Sequence, residues 1–310
     1  MVTDAATAAG RSIERTRRLG GARIGADWRN VGFVLPFLIV YVLLLVWPLI
    51  DGIWISLQKF DMFDGTGTYA GLANYKRLFA DKIFLGAVWN TVLFVLMTVP
   101  AFVVVGLILA LALNRPTRAA AALRATFFAT SVLSVTIVTI VWKMVYLPDR
   151  GLLTNVLGVF GQAPIPILSD PNLALPGIAA ATVWWGIGLP MMLFLAALQQ
   201  IPRELYEAAA LDSAGRWRSF RHITLPSIRR TVVLVAVVEI VYQFQLFGQS
   251  YLLTRGGPNN ASRPIVQFIY EQGFRNWDLG YAAAASEVLF GLMLIAAMAQ
   301  YLLTRRRAEG

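Results

Sequence analysis

Residues 239–249, EIVYQFQLFGQ, set a carboxylate, a phenol and three amides inside an otherwise apolar run. At helical spacing Glu239 and Gln243 lie one turn apart, as do Gln245 and Gln249, so the pairs are expected to line adjacent stripes. Carboxylates and amides hydrogen-bond hydroxyls, and the rings of Tyr242, Phe244, Phe247, Trp184 and Trp185 offer faces on which the apolar side of a sugar packs. This is chemistry of recognition, not of bond breaking. Polar side chains also tie packed helices together, and spacing alone leaves both readings open. Glu287, beside Ser286 and an alanine run, leans towards the tie, and Asn90 is a weaker member of the set.

Catalytic chemistry is thinly supplied. With no cysteine, the chain has neither a disulfide framework nor a thiolate metal site, and its one histidine, His222, removes most zinc and dyad schemes. His222 lies among Arg218, Arg221 and Arg229, which favours a surface role over a proton relay. Glu204 and Glu207 are not expected to form a catalytic pair, since nothing near them makes a pocket. No Gly-x4-Gly-Lys-Ser/Thr phosphate loop occurs, so ATP is not bound by that route. No catalytic residue, metal ligand or cofactor is assigned to this chain.

Apolar helices must position the polar residues. The chain is 57% hydrophobic and 14% charged, where soluble proteins carry about 25% charge. Apolar runs at 31–50, 87–113, 126–147, 173–198, 231–253 and 281–303 can each cross a hydrocarbon core, which takes about 20 residues. The first is too long for a signal-peptide core and reads as an uncleaved span. The expected fold is all-α and polytopic: six transmembrane helices over 31–304, between polar tails 1–30 and 305–310 that share one side of the membrane. Two-thirds of the lysines and arginines lie on that side, in the tails, at Arg115, Arg118 and Arg124, and across 203–230. The richer side is expected to be cytoplasmic, so the net charge of +10 reports basic loops rather than nucleic-acid binding. The other side has turn-rich loops at 60–80, 148–176 (with a short helix at 152–160) and 256–260.

The polar insert 202–226, PRELYEAAALDSAGRWRSFRHITLP, separates two apolar runs and must lie in water. Pro202, Glu204 and Glu207 suit the start of a helix. Leu205, Ala208, Ala209 and Asp212 share one face, whose small alanines allow another surface to approach closely. Gly215 is expected to break this helix, after which Trp217, Phe220 and Ile223 form a second stripe beside Arg216, Arg218 and Arg221.

The insert resembles the cytoplasmic loop of bacterial binding-protein-dependent ABC importer permeases. That pattern is Glu-Ala-Ala, a glycine four residues after the second alanine, then Ile-x-Leu-Pro. Glu207, Ala208, Ala209, Ile223, Leu225 and Pro226 match it in position. Ser213 stands in place of the glycine, so the bend is expected to differ or to shift to Gly215. The runs 71–75 (GLANY), 151–161, 253–258 (LTRGGP) and 280–284 (GYAAA), with Tyr270 and Phe274, are similar to sugar-importing permeases of the maltose and glycerol-phosphate type. Many of those carry an aspartate where Gly248 follows Phe247, which puts the usual substrate contact there in question.

The resemblance implies a bacterial inner-membrane assembly: two six-helix permeases, usually two different chains, two ATPase subunits inside that hold ATP and Mg, and a solute-binding protein outside. Glu207 would contact the ATPase, Ala208 and Ala209 would permit close approach, and Asp212, Ser213, Gly215 and Arg218 complete the coupling segment, 200–226. Glu239, Tyr242, Gln243, Phe247, Gln249, Trp185 and Asn90 are the expected substrate path. A sugar is favoured over glycerol phosphate or another polyol-like solute, because a phosphate ester calls for buried basic groups and only Lys143 approaches a span interior. An ion-coupled secondary transporter would more often show inverted repeats and helices broken in mid-membrane; no such symmetry is visible, and it would leave the insert unexplained. A membrane-embedded enzyme or scaffold lacks a catalytic cluster.

Overall fold

Inside a bilayer each backbone polar group needs a partner within the protein, and this chain meets the demand with helix. The computed structural model describes residues 28–61 and 65–306, so most of both basic tails expected from the sequence lies outside the described residues. The chain divides into two compact units, Met1–Gly52 and Ile53–Gly310. In the first, α1 (Trp28–Tyr41) runs through a π-helical stretch, Val42–Val46, into α2 (Trp47–Ser56), which ends in the second unit. Val34–Ser56 is a 23-residue helical run, apolar enough on average for one crossing.

The second unit opens with an antiparallel hairpin, β1 (Gln58–Asp61) and β2 (Thr66–Tyr69), registered from Gln58↔Tyr69 to Asp61↔Thr66. Then come α3 (Ala73–Ala80), α4 (Lys82–Leu113), α5 (Arg118–Thr130), α6 (Val135–Val145), α7 (Leu152–Val159), α8 (Ala174–Gly186) and α9 (Gly188–Gln199). The insert holds α10 (Arg203–Leu211), a helical turn at Arg216–Ser219 and a π-helical turn at Phe220–Thr224. It leads into α11 (Arg229–Phe244), α12 (Gly248–Leu253), α13 (Ile265–Tyr270) and α14 (Leu279–Arg306).

The spine is α4. Asp81 caps it, accepting from the Ile83 and Phe84 amides. Its buried face enters three apolar clusters in turn. Phe84 and Val95 pack with Phe268 and Tyr281, Phe94 with Ile178 and Leu246, and Ala110 and Leu113 with Phe194 and Ile228. Trp89, Leu96, Val104 and Ile108 of the same helix stay exposed, so it is apolar all round, as a lipid-facing span is.

Six continuous spans are not what the described residues form. Three helices are long and apolar enough to cross alone: Val34–Ser56, Lys82–Leu113 and Leu279–Gln300. The expected third span, 126–147, takes in only the end of α5 before α6, and these two helices are bent by 103°; the expected fourth is α8 and α9, bent by 49°. The expected fifth stops at Phe244 and restarts at Gly248, which takes Gln245 and Gln249 off any common helical stripe. Local chemistry accounts for the first break: Thr130 bonds back to the Phe127 carbonyl, and Ser134 caps α6 by accepting from Ile137. Serine and threonine compete in this way with helix continuation.

Polar clamps fasten the hairpin end. Asn74 donates to the carbonyls of Ser56 and Gln58, both at 2.8 Å, and Tyr75 shares a 2.8 Å bond with Ser56 Oγ. Arg77 pairs with Asp278 at 2.6 Å and lies 4.0 Å over the Tyr281 ring, whose hydroxyl donates to Asp81 at 2.9 Å. A Cβ at Gly280 would collide with the Gln58 carbonyl oxygen, so glycine lets α14 meet the hairpin. Asn74→Ala strands two carbonyls, and we expect it to cost about 1–3 kcal/mol, read as a lowered thermal midpoint of the solubilised protein.

Candidate functional site

The three helix breaks converge. Trp185, at the end of α8, donates Nε1–H to the Leu133 carbonyl at 3.1 Å, and its own carbonyl accepts from Thr130 Oγ1 at 3.1 Å and Ser131 Oγ at 3.3 Å. Gly188, opening α9, sits where a Cβ would come within 2.5 Å of the Phe127 carbonyl oxygen. Gly248, opening α12, faces Val135 in the same way, at 3.0 Å. Between these breaks is a cavity of about 230 Å³ lined by Phe102, Ser131, Thr182, Trp185, Gly186, Leu189, Glu239, Tyr242, Gln243 and Gln249.

Glu239, Tyr242, Gln243, Gln249 and Trp185 are thus brought together in one lining. Glu239 is 5% exposed, and its Oε2 accepts from Gln243 Nε2 at 2.8 Å. Both residues belong to α11, so this bond ties no second helix. Phe102, Ser131, Thr182, Gly186 and Leu189 were missed in the sequence. Only Ser131, in the Ser/Thr cluster 130–134, carried a signal, as a helix breaker.

Other path candidates go elsewhere. Asn90 donates to the carbonyls of Asn260 (2.8 Å) and Arg263 (3.0 Å), holding a loop against α4. Phe247 packs on Tyr251 and Tyr270, because the chain leaves helical geometry at 245–247 and turns its ring away from the cavity lining. Trp184 meets Trp142 edge-on and is not in the cavity lining, and Phe244 is buried in the α4–α14 core. Gln245 is exposed in the break, and half-buried Glu287 does not line the cavity. Lys143 lines a separate, mostly apolar groove with Ile140, Met144 and Leu147.

In the insert, α10 ends at Leu211 with Ala214 N–H bonded to the Ala209 carbonyl (2.9 Å) and Ser213 N–H to Ala210 (3.1 Å). This is a Schellman motif, with Ser213 in the left-handed position at φ 55°. The bend therefore stays at residue 213 without a glycine, and Gly215, at φ −64°, does not break the helix. Glu207 and Ala208 are exposed and Ala209 is half-buried. Leu211 and Trp217 project at 88% and 71% exposure. A groove between the arms is lined by Ala209, Asp212, Arg218 and His222 among others, and His222 Nδ1 sits 2.9 Å from the Arg218 carbonyl. Tyr206 shares a 2.9 Å hydrogen bond with Thr224, joining α10 to the approach to α11.

Long apolar helices, a polar cavity at their breaks and an exposed insert define a membrane transport permease. Residues 65–309 match the model of the binding-protein-dependent transport system inner membrane component, and the chain belongs to that family. It is an ABC importer permease. It is 32% identical to the probable ABC transporter permease protein YurN of Bacillus subtilis (strain 168), over 87% of this chain and 96% of that one. It is also 32% identical to the sn-glycerol-3-phosphate transport system permease protein UgpA of Salmonella choleraesuis (strain SC-B67), over 88% and 93%. A chain of a bacterial alginate ABC transporter, solved in complex with an alginate pentasaccharide-bound periplasmic protein, shares the fold. Its TM-score is 0.79 at 24% identity, over 91% of this chain and 96% of that one. Broken helices, expected more often of an ion-coupled transporter, occur here and do not separate the two classes; the family does.

Left-handed backbone costs a non-glycine residue roughly 1 kcal/mol. Ser213→Gly should therefore slow amide exchange across 208–214 about fivefold, measured by hydrogen–deuterium exchange.

Proposed function

We propose that this permease forms half of the path for a sugar delivered by an extracytoplasmic solute-binding protein. The observation that carries this is the cavity, where Glu239, Gln243 and Gln249 offer hydrogen bonds beside the rings of Trp185, Tyr242 and Phe102. At about 230 Å³ it is smaller than the ~300–1,000 Å³ of drug-sized sites, a scale suited to one sugar unit at a time. The identity to the Salmonella relative supports a second reading, in which the solute is glycerol phosphate.

In this reading the tails and the insert face the cytoplasm, and a second permease chain completes the path. Two ATPase subunits, which bind ATP and Mg, dock on the segment 200–226. Glu207 and the small Ala208–Ala209 face make the close contact, Leu211 and Trp217 are exposed for burial, and Asp212, Ser213, Gly215 and Arg218 shape the turn between arms. ATP-driven closure moves α10, and the Tyr206–Thr224 bond passes that motion towards α11, a wall of the cavity. The ATPase need only bind one of two arrangements better to shift their balance.

The test is ATPase turnover of the reconstituted complex with and without liganded binding protein. Glu207→Ala should cut the stimulation about tenfold, the scale of one interface anchor, and deletion of residues 208–210 should abolish it. Full stimulation in both variants, or absence of any co-purifying ATPase, would sink this reading.

A further inference from the structure

The cavity is one-sided in charge. Glu239 is its one acidic lining residue, and no lysine, arginine or histidine lines it among the described residues. Neither ion pair among the described residues involves Glu239: these are Arg77–Asp278 and Arg263–Glu271. Some of the donors at the wall are already engaged. The Trp185 indole N–H is given to Leu133, the Ser131 hydroxyl to the Trp185 carbonyl, the Thr182 hydroxyl to the Ile178 carbonyl, and one Gln243 N–H to Glu239. What remains is mixed in hydrogen bonding, with the Tyr242 hydroxyl, the Gln249 amide and the second Gln243 N–H able to donate, but its one charged group is the Glu239 carboxylate, whose second oxygen accepts.

A wall with one acid and no base suits a solute that brings no negative charge and can donate to the carboxylate. Hydroxyls and ammonium groups donate, whereas phosphate and carboxylate only accept and add negative charge beside Glu239. We propose that Glu239 is the specificity-determining residue of the path, selecting neutral or amino sugars and rejecting phosphorylated and uronic ones. The inference rests on the cavity being in the solute path. It sets this chain apart from the Salmonella relative, whose name gives sn-glycerol-3-phosphate. Gln243 holds Glu239 in place as a positioning residue, since its amide fixes one carboxylate oxygen and leaves the other for solute.

The experiment is equilibrium binding of three labelled probes, glucose, glucosamine and glucuronate, to the complete transporter complex in nanodiscs without binding protein. They share a hexose frame and differ in charge. The expected wild-type order is glucosamine at or above glucose, with glucuronate at least tenfold weaker. Glu239→Gln, which keeps size and the bond to Gln243, should bring glucuronate to within about threefold of glucose and remove any preference for glucosamine. Equal wild-type binding of glucuronate and glucose overturns the inference, even where the variant fails to assemble. So does an unchanged ladder in a well-folded Glu239→Gln complex. If none of the probes binds, the cavity is not in the sugar path, and the function proposed above falls with the inference.

Discussion

Backbone that leaves a helix inside a membrane must find its hydrogen bonds from neighbouring protein, and this constraint organises the molecule. The break at 131–134 is served by Trp185, whose indole satisfies one carbonyl there and whose own carbonyl takes two hydroxyls in return. Glycines at 188 and 248 let the partner segments come close enough to Phe127 and Val135. The breaks therefore hold one another, and the space left between them is the cavity. Polar lining and irregular backbone coincide because each is tolerated where protein, rather than lipid, lies opposite.

Sequence and structure agree best where charge writes the pattern. The insert was legible because arginines and acids cannot sit in hydrocarbon, and its match to the family loop needed only side-chain identities at fixed spacing. Glu239 and Gln243 were legible because α11 is helical through both. Gln245 and Gln249 were not, since hydropathy registers a run of apolar residues but not its direction. The 103° bend between α5 and α6 is for the same reason invisible to a span count. Asn90 misled because its partners, carbonyls of residues 260 and 263, are brought to it only by the fold. The hairpin escaped notice for its shortness, two four-residue strands clamped by Asn74 rather than by hydrophobic alternation.

The motifs shared with sugar permeases now have physical content at both ends of the molecule. Asn74 and Tyr75 of the first motif grip Ser56, while Gly280 and Tyr281 of the last bring α14 against the hairpin and Asp81. In the insert, Ser213 keeps a turn that the family makes with glycine. The backbone path is preserved while the residue that usually eases it is not.

Helix α4 has 32 residues and so extends ~48 Å, against a hydrocarbon thickness of ~30 Å. A rod that long either leans or stands clear of the lipid at its ends, and the clamp around Asp81 at its first turn fixes that end against the hairpin. Leaning is then the remaining freedom, and it answers to membrane thickness. Because α4 also carries Phe102 into the cavity wall, the width of the surrounding bilayer becomes a mechanical input to the shape of the site.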